Sequence, residues 1–299
     1  MTITWLEGVD LFVDGGRVFG PVPKAVWKRY TPYTENNDIP NSADPILIQY
    51  QNKNYLIDAS LHLSKMNAVR RRNEGAQTEN RVPESLETLG LTPEDIDVVL
   101  VTHAHNDHMG GLTYLEDGKL YSMFPNAVIY IHEHDWEDVQ NPTGRTRGTY
   151  LRENWEPIQD QVVTFSDGLF IIPEIKMSYT GGHTRGSAHV ELFQQDERVL
   201  HMADNFASTY HANPNWIMAI DDYPLEVTKI REEWFPAAFA TGTKFIFYHD
   251  PFIRLAEFDA DGKEIVFGQL RSRSIGIKPT SEQDKLKWPL KAVINIFNG

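Results

Sequence analysis

The chain has 299 residues and contains no cysteine. Disulfide bonds and thiolate metal sites are therefore excluded, and a metal site would have to be built from imidazole and oxygen ligands. A cysteine-free composition is typical of proteins in a reducing compartment, so we expect a cytoplasmic location.

Long apolar runs are also missing. No stretch reaches the roughly 18 consecutive apolar residues that a membrane span needs. Residues 1–7 carry no basic segment followed by an apolar one. We therefore expect neither a membrane anchor nor an export signal.

Positive charge is scarce as well. The formal net charge is −14, from 28 Lys and Arg residues against 42 Asp and Glu residues, and the one basic run is the short Arg-Arg-Arg at residues 70–72. Nucleic-acid binding needs a basic stripe that neutralises phosphates. The composition therefore argues against a nucleic-acid partner.

The strongest positive signal is the segment Thr-His-Ala-His-Asn-Asp-His at residues 102–108, which follows the apolar run Val-Val-Leu-Val at residues 98–101. Three imidazoles and one carboxylate thus lie directly after a predicted buried strand. Rigid backbone at a strand end holds ligands at reproducible positions. Imidazole and carboxylate together suit zinc, iron, manganese or cobalt, so the segment predicts a catalytic metal centre.

Four ligands from one segment cannot enclose two metal ions, so further ligands are expected after other strands. The sequence supplies His183, Asp204 and His249, each shortly after a predicted strand. The seven candidates divide into two groups, with Asp204 bridging them. One group contains His103, His105 and His183, and the other contains Asp107, His108 and His249.

Helical and strand patterns alternate along most of the chain, which favours two α/β halves that face each other across a cleft. Residues 15–45 are rich in proline and glycine and predict a loop-rich arm. The predicted helices begin at Pro83, Gly110 and Pro224. Predicted strands include residues 46–50, 55–58, 97–101, 127–132, 189–193, 198–202 and 244–248.

The ligand pattern resembles that of the metallo-β-lactamase-fold hydrolases, whose His-x-His-x-Asp-His motif, later His, bridging Asp and last His match the seven positions one by one. The resemblance covers residues 45–250 and implies an α/β fold, an αβ/βα four-layer sandwich with the site at one edge of two facing sheets. It implies one hydrolase domain over residues 1–299, with the loop-rich arm at about 15–45. It also implies that Asp58, which ends a Leu-Ile-Asp segment, orients a metal ligand.

Within that superfamily the chain is most similar to the N-acyl homoserine lactonases of the YtnP type, which are quorum-quenching enzymes. The similarity includes Phe-Gly-Pro-Val-Pro-Lys at 19–24, His-Met-Ala-Asp at 201–204 and Phe-Tyr-His-Asp at 247–250. It implies a hydrolase with two divalent cations, zinc first and iron, manganese or cobalt as alternatives. A metal-bridging hydroxide would open the lactone ring, and Asp107 would receive the proton and return it.

Two positions depart from the better-known lactonases. Those enzymes hold the substrate carbonyl with a tyrosine three residues after the bridging aspartate, where this chain has Ala207. Many relatives also have a second Gly-His where this chain has Gly-Ser at 186–187. The partner of the carbonyl is therefore open; Tyr210, Tyr223 or Tyr248 could supply a phenol, and we favour Tyr223.

Other functions fit the same ligands. An organophosphate triesterase or another carboxylic or phosphoric ester hydrolase would use this centre, and a metal-binding regulatory module with slow turnover would retain it. The arm at residues 15–45 could cover its own cleft or that of a neighbouring subunit, so a homodimer is an open alternative. The acyl chain of a lactone needs an apolar groove, whose predicted walls are Phe19, Trp27, Met66, Trp216, Ile217 and Met218.

Overall fold

The computed structural model describes residues 1–195 and 197–273. In chain order, its strands are β1 (Thr2–Trp5), β2 (Val9–Asp14), β3 (Asp38–Ala43), β4 (Ile46–Tyr50), β5 (Lys53–Ile57), β6 (Val98–Leu100), β7 (Thr113–Glu116), β8 (Lys119–Ser122), β9 (Val128–His132), β10 (Val162–Phe165), β11 (Gly168–Ile172), β12 (Ile175–Tyr179), β13 (Ala188–Gln194), β14 (Glu197–His201), β15 (Lys244–Ile246), β16 (Ile253–Phe258) and β17 (Ile265–Leu270).

The α-helices are short except for the last one. Within the described residues, no helix has both the length and the apolar character needed to cross a bilayer. The helices are α1 (Gly15–Phe19), α2 (Lys24–Trp27), α3 (Ala68–Glu74), α4 (Val82–Thr88), α5 (Asn106–Met109), α6 (Glu133–Gln140), α7 (Arg152–Trp155) and α8 (Pro224–Ala240).

Two large sheets organise the described part of the chain. The first has the strand order β1-β4-β5-β6-β9-β10, and the second runs from β11 to β17 in sequence order. Neighbouring strands from β5 to β10 are parallel in the first sheet, and β14 is parallel to β15 in the second. The carboxyl ends of these parallel strands therefore lie at common sheet edges.

The two large sheets pack face to face. Ile57 and Leu100 of the first sheet belong to the same buried cluster as Met177, Val190 and Ile246 of the second. Successive strand residues point to opposite faces, so Leu56 and Val99 lie on the other side of the first sheet.

Helices cover both outer faces. Leu56 and Val99 share a buried cluster with Leu86 of α4 and Val139 of α6. On the outer face of the second sheet, residues of α8 such as Phe235 pack with the strand residues of β15 and β16. The described chain is therefore a helix-sheet-sheet-helix arrangement, and the predicted αβ/βα four-layer sandwich is confirmed.

The structure departs from the sequence prediction at several elements. The predicted helix beginning at Gly110 is wrong, because one 3-10 turn over Gly110–Leu112 leads into strand β7. Gly111 approaches a neighbouring loop closely: its N–H donates to Ser60 O at 2.7 Å, and a Cβ there would lie 1.8 Å from Ala59 O. This close backbone contact fixes the turn and prevents a longer helix.

The arm at residues 15–45 contains regular structure. It includes α1, α2 and strand β3, which pairs antiparallel with β2. Aromatic side chains anchor the arm to the domain, since Phe19 stacks on Trp27 with ring centroids 5.0 Å apart and also contacts Tyr210. The arm is thus packed against the loops that follow β14.

Candidate metal centre

All seven predicted metal ligands lie at one edge of the two facing sheets and are buried. The segment from His103 to His108 follows β6, His183 follows β12, Asp204 follows β14 and His249 follows β15. Because β6 and β15 belong to different sheets, the sandwich brings ligands from both halves of the chain together. The structure therefore places all seven side chains in one cluster.

The first group of ligand atoms surrounds His105 Nδ1. His183 Nε2 lies 2.9 Å from this atom and His103 Nε2 lies 3.2 Å from it. Asp204 Oδ2 faces the same group, at 3.3 Å from His183 Nε2. Three imidazole nitrogens and one carboxylate oxygen thus enclose one position.

The second group surrounds His249 Nε2. His108 Nε2 lies 2.9 Å from it, and Asp204 Oδ1 lies 3.2 Å from it. Asp107 Oδ2 is more distant, at 3.7 Å. Asp204 therefore faces one group with each of its two oxygens, which is the arrangement of a bridging carboxylate.

The outer nitrogens of three ligands show which atoms face inward. His108 Nδ1 lies 2.8 Å from Asp58 Oδ2, and His183 Nδ1 lies 2.7 Å from Asp221 Oδ1. His249 Nδ1 lies 2.6 Å from Ser42 O. Because carboxylate and carbonyl oxygens accept hydrogen bonds, each Nδ1 carries the proton and each Nε2 presents a lone pair to the cluster.

Two imidazole nitrogens that face each other at 2.9 Å suit either a shared proton or a metal cation between them. His108 Nε2 and His249 Nε2 are in this position, and Asp204 Oδ1 is buried without a hydrogen bond from the described residues. Two ligands bonded tetrahedrally to zinc at about 2.0–2.1 Å lie roughly 3.3 Å apart. Six spacings within the two groups lie between 2.9 and 3.4 Å and fit that geometry. Two are longer, 3.7 Å from Asp107 Oδ2 to His249 Nε2 and 4.0 Å from His103 Nε2 to Asp204 Oδ2. The donor set therefore fits divalent cations.

Burial and neighbouring carboxylates divide the histidines into two kinds. Burial lowers the pKa values of His103 and His105 well below the usual range, so these imidazoles are neutral. Burial also opposes the charged form of His108 and His183, but carboxylates outweigh it and raise both pKa values. Asp204 acts on both, together with Asp58 at His108 and Asp221 at His183. A cation would displace a proton from these two ligands.

Local backbone conformations aim these side chains. Asp58 and Ala203 have φ values of 56° and 48°, in the left-handed region that residues with a Cβ seldom adopt. Gly182, directly before His183, has φ 88°, and a Cβ there would lie 2.6 Å from Asn205 Oδ1. Such conformations at the ends of strands are common where a fold positions functional groups.

Sequence reasoning did not identify three residues that support the ligands. Asp221 holds His183, while Asp135 accepts the N–H groups of Ala104 and Gly186 at 2.7 Å each. Tyr248 stacks on the ring of His108, with centroids 4.6 Å apart. Asp221 and Asp135 follow no spacing rule, although each lies near the start of a helix.

Two clefts adjoin the cluster. The first, here called the apolar cleft, contains Asp107, Asp204, Ala207 and His249, and its apolar walls include Leu11, Val13, Val18, Ile39, Met218 and Ile220. The second, here called the polar cleft, is lined by Arg17, His105, Arg145, Thr146, Gly148, Thr149, Ala219, Ile220 and Asp222. Arg17 and Ile220 line both clefts and lie between them.

Of the predicted substrate-pocket residues, one lines the apolar cleft and five do not. Met218 lines the apolar cleft. Phe19, Trp27 and Met66 are buried in the aromatic cluster beneath the arm, with Trp216 packed against it, and Ile217 is partly buried. These five residues do not line the apolar cleft. In a loop-rich segment, the sequence alone does not show whether a large apolar side chain faces the core or a substrate cleft.

Tyr223, the predicted contact of the carbonyl, lies at the rim. Its side chain is among the exposed aromatic ones, and its backbone N–H donates to Gly182 O at 3.1 Å. Burial and the nearby carboxylates of Asp138 and Asp222 raise the pKa of its phenol. Tyr223 does not line the apolar cleft or the polar cleft. Its contact with substrate stays a prediction.

The sequence and the fold match known proteins. The family model of the metallo-beta-lactamase superfamily matches residues 39–235. The crystal structure of a probable metal-dependent hydrolase from Staphylococcus aureus is 33% identical, with a TM-score of 0.88, and the match covers 92% of this chain and 98% of that one.

Two curated relatives match shorter segments. The N-acyl homoserine lactonase AiiB of Agrobacterium fabrum is 35% identical over 109 residues, which are 33% of this chain and 39% of AiiB. An RNase J-like protein of Methanocaldococcus jannaschii is 27% identical over 124 residues, 41% of this chain and 28% of that protein. The chain thus spans well under half the length of these two relatives. The family match over residues 39–235 shows that the chain belongs to the metallo-beta-lactamase superfamily.

Proposed function

We propose that this chain is a dinuclear metal-dependent hydrolase that opens the lactone ring of N-acyl homoserine lactones. The observation that carries the proposal is the position of Asp204, whose two oxygens face two separate ligand groups at the floor of an apolar cleft. Two bound divalent cations, zinc first, would activate a water molecule and polarise the substrate carbonyl.

Asp107 is the residue that we assign to proton transfer. Its carboxylate lines the apolar cleft and lies at the edge of the second ligand group, 3.7 Å from His249 Nε2. Ring opening adds one water: a bond forms between its oxygen and the carbonyl carbon, and the bond from that carbon to the ring oxygen breaks. Asp107 would take a proton from the water and deliver it to the ring oxygen.

The apolar cleft would hold the acyl chain. Its wall residues Leu11, Val18, Ile39 and Met218 present aliphatic surface within reach of Asp107 and Asp204. Removing apolar surface from water contributes about 25 cal/mol per Å², so an aliphatic chain would gain affinity there. We accordingly assign Met218 to the substrate pocket.

A small-molecule substrate agrees with the charge of the chain. The formal net charge of −14 repels the phosphate backbone of nucleic acids, although one relative is named as RNase J-like. The lactonase AiiB matches over part of its length. We therefore propose a lactone and not a polynucleotide as the substrate.

Proton release tests this function. The metal-loaded chain should acidify a weakly buffered solution of N-hexanoyl-homoserine lactone, and a chelator or Asp107→Asn should abolish the reaction. Asp117→Asn is the matched control, because Asp117 is exposed in the turn between β7 and β8. Rapid phosphotriester cleavage with negligible lactone cleavage would establish the triesterase alternative. Two bound metals without turnover on either substrate would indicate the regulatory module.

A further inference from the structure

Arg17 lies between the two clefts and is held there by its helix. Asp14 caps the amino end of helix α1 (Gly15–Phe19), and its carboxylate accepts Gly16 N–H at 2.7 Å. Arg17 O accepts the N–H of Ala219 at 3.0 Å, and the Nε2 atom of His211 lies 3.1 Å from Val18 O. These contacts tie α1 to the loops that follow β14, so the backbone of Arg17 is held where its side chain lines both clefts.

The guanidinium of Arg17 has donors to spare. Its ion-pair partner is Glu74, at 4.0 Å, which is the outer limit of such a contact. Glu74 Oε1 in turn lies 2.9 Å from Asn106 Nδ2. A guanidinium carries five N–H donors, and about one third of the Arg17 side chain is exposed (32%) in the clefts. Most of its donors are therefore available to a ligand.

The phenols of Tyr248 and Tyr210 are both buried. The Tyr248 hydroxyl donates to Asp107 O at 2.7 Å and accepts from Ser60 N at 2.8 Å. Tyr210 lines the apolar cleft, but its ring packs against Phe19 and its hydroxyl is buried, without a hydrogen-bond partner among the described residues, whereas the Arg17 side chain is partly exposed. At the site of the expected tyrosine, Ala207 supplies no hydroxyl group to the apolar cleft.

We propose that Arg17 contacts the substrate and donates to the carbonyl oxygen on which negative charge develops during ring opening. This inference rests on the proposed lactonase function and deepens it. The product of ring opening is a carboxylate, which a guanidinium binds through two parallel N–H donors. Arg17 therefore stabilises the developing charge and holds the product carboxylate.

The test compares Arg17→Gln with Arg152→Gln. Arg152 is a matched control because its exposed side chain pairs with Glu156 on the surface of α7, outside both clefts. With N-hexanoyl-homoserine lactone, Arg17→Gln should lower kcat about 10²–10³-fold, the loss typical when a charge-stabilising donor is removed, with a smaller change in KM. Arg152→Gln should retain both constants.

Three further readouts separate substrate contact from a structural role. Added guanidinium ion should raise the activity of an Arg17→Ala variant at least tenfold. Binding of the ring-opened N-hexanoyl-homoserine, measured by calorimetry, should weaken about tenfold in Arg17→Gln. The Arg17→Gln variant should have the same metal content and the same midpoint of unfolding as the unsubstituted chain.

Several results would overturn the assignment. One is an Arg17→Gln variant with unchanged kcat, and another is a loss of activity accompanied by loss of metal, which would make Arg17 a structural residue. If Tyr223→Phe loses lactonase activity while Arg17→Gln retains full activity, Tyr223 and not Arg17 contacts the carbonyl oxygen. If the unsubstituted, metal-loaded chain cleaves no lactone, the proposed function itself fails, and the two failures are thereby distinguished.

Discussion

Asp58 Oδ2 lies 2.8 Å from His108 Nδ1, and both side chains are fully buried. Asp58 also accepts the backbone N–H and the hydroxyl of Thr102, each at 2.8 Å. One carboxylate thus fixes the ring orientation of His108 and the start of the segment that carries four metal ligands. The affinity for metal should depend on a residue that contacts no metal.

Asp58→Asn should weaken binding of at least one cation by about 10–100-fold, because the amide supplies no charge to hold the His108 proton. Competition with a chromogenic chelator at fixed pH measures this affinity. Asp117→Asn is a matched control, since Asp117 also has a positive φ (48°) but is exposed. Equal affinities in Asp58→Asn and the unsubstituted chain would contradict the role of Asp58.

Tyr248→Phe should lower the free energy of unfolding by about 1–3 kcal/mol, because Ser60 N–H and Asp107 C=O lose their buried partner. The ring that stacks on His108 is retained, so packing changes little. Chemical denaturation of the chelator-treated protein gives the value. The exposed Tyr121 provides the control variant Tyr121→Phe, and equal losses in both variants would argue against this role of the hydroxyl.

A buried ion-pair cluster should make the stability depend on acid pH. Burial alone would raise the pKa of Asp44, but Arg254, Arg271 and Arg273 together lower it below its ordinary value of 3.8. Arg271 Nη2 lies 2.8 Å from Asp44 Oδ2 and 2.5 Å from Asp10 Oδ1. Because the folded-state pKa is the lower one, this stabilisation is present above pH 3.8 and is lost as the pH falls through the folded-state value.

Asp44→Asn should therefore lower the free energy of unfolding at pH 7 by about 3–5 kcal/mol, since it leaves buried guanidinium groups without their carboxylate. The difference from the unsubstituted chain should shrink below about pH 4. Urea titrations of chelator-treated protein between pH 3 and 7 measure it. Asp261→Asn, which alters an exposed pair with Lys263, is the control. A difference that is the same at every pH would refute the prediction.

Gly182→Ala should be more harmful than Gly90→Ala, although both glycines have positive φ values, 88° and 73°. The added methyl group meets Asn205 Oδ1 at 2.6 Å in the first case and open space in the second. The left-handed backbone conformation should lower the free energy of unfolding of each variant by roughly 1–2 kcal/mol. Gly182→Ala should in addition bind metal more weakly, because its methyl group displaces Asn205, whose Oδ1 accepts the N–H of His183. Equal stability and equal metal affinity in the two variants would contradict this reasoning.

Much of the fold could be predicted from local patterns. Strand β4 (Ile46–Tyr50) has the predicted bounds, and the helix that begins at Pro224 was expected, although it continues through Pro236 to Ala240. Strands β16 and β17 lie outside the predicted set, although Asp261 and Gly262 between them form a dipeptide typical of hairpin turns. The sequence predicts the end of this helix near Glu233, and buried packing of Phe235 and Phe239 stabilises the helix beyond that point.

The candidate metal ligands could be found because they follow apolar strands, and strand ends meet at a sheet edge. Residues that act through those ligands were harder to find. Asp221 lies in the loop before α8 and Asp135 in the first turn of α6, and their roles depend on contacts with distant parts of the chain. The aromatic residues of the arm illustrate the opposite error: Phe19 and Trp27 look suited to a substrate groove but fill a core.

The number of metal ions per chain tests the central claim most directly. Native mass spectrometry combined with elemental analysis, after reconstitution with zinc, iron, manganese or cobalt, gives this number. Two ligand groups that share Asp204 predict two ions per chain. A chain that binds at most one ion under all four conditions would contradict the dinuclear centre and the hydrolytic function built on it.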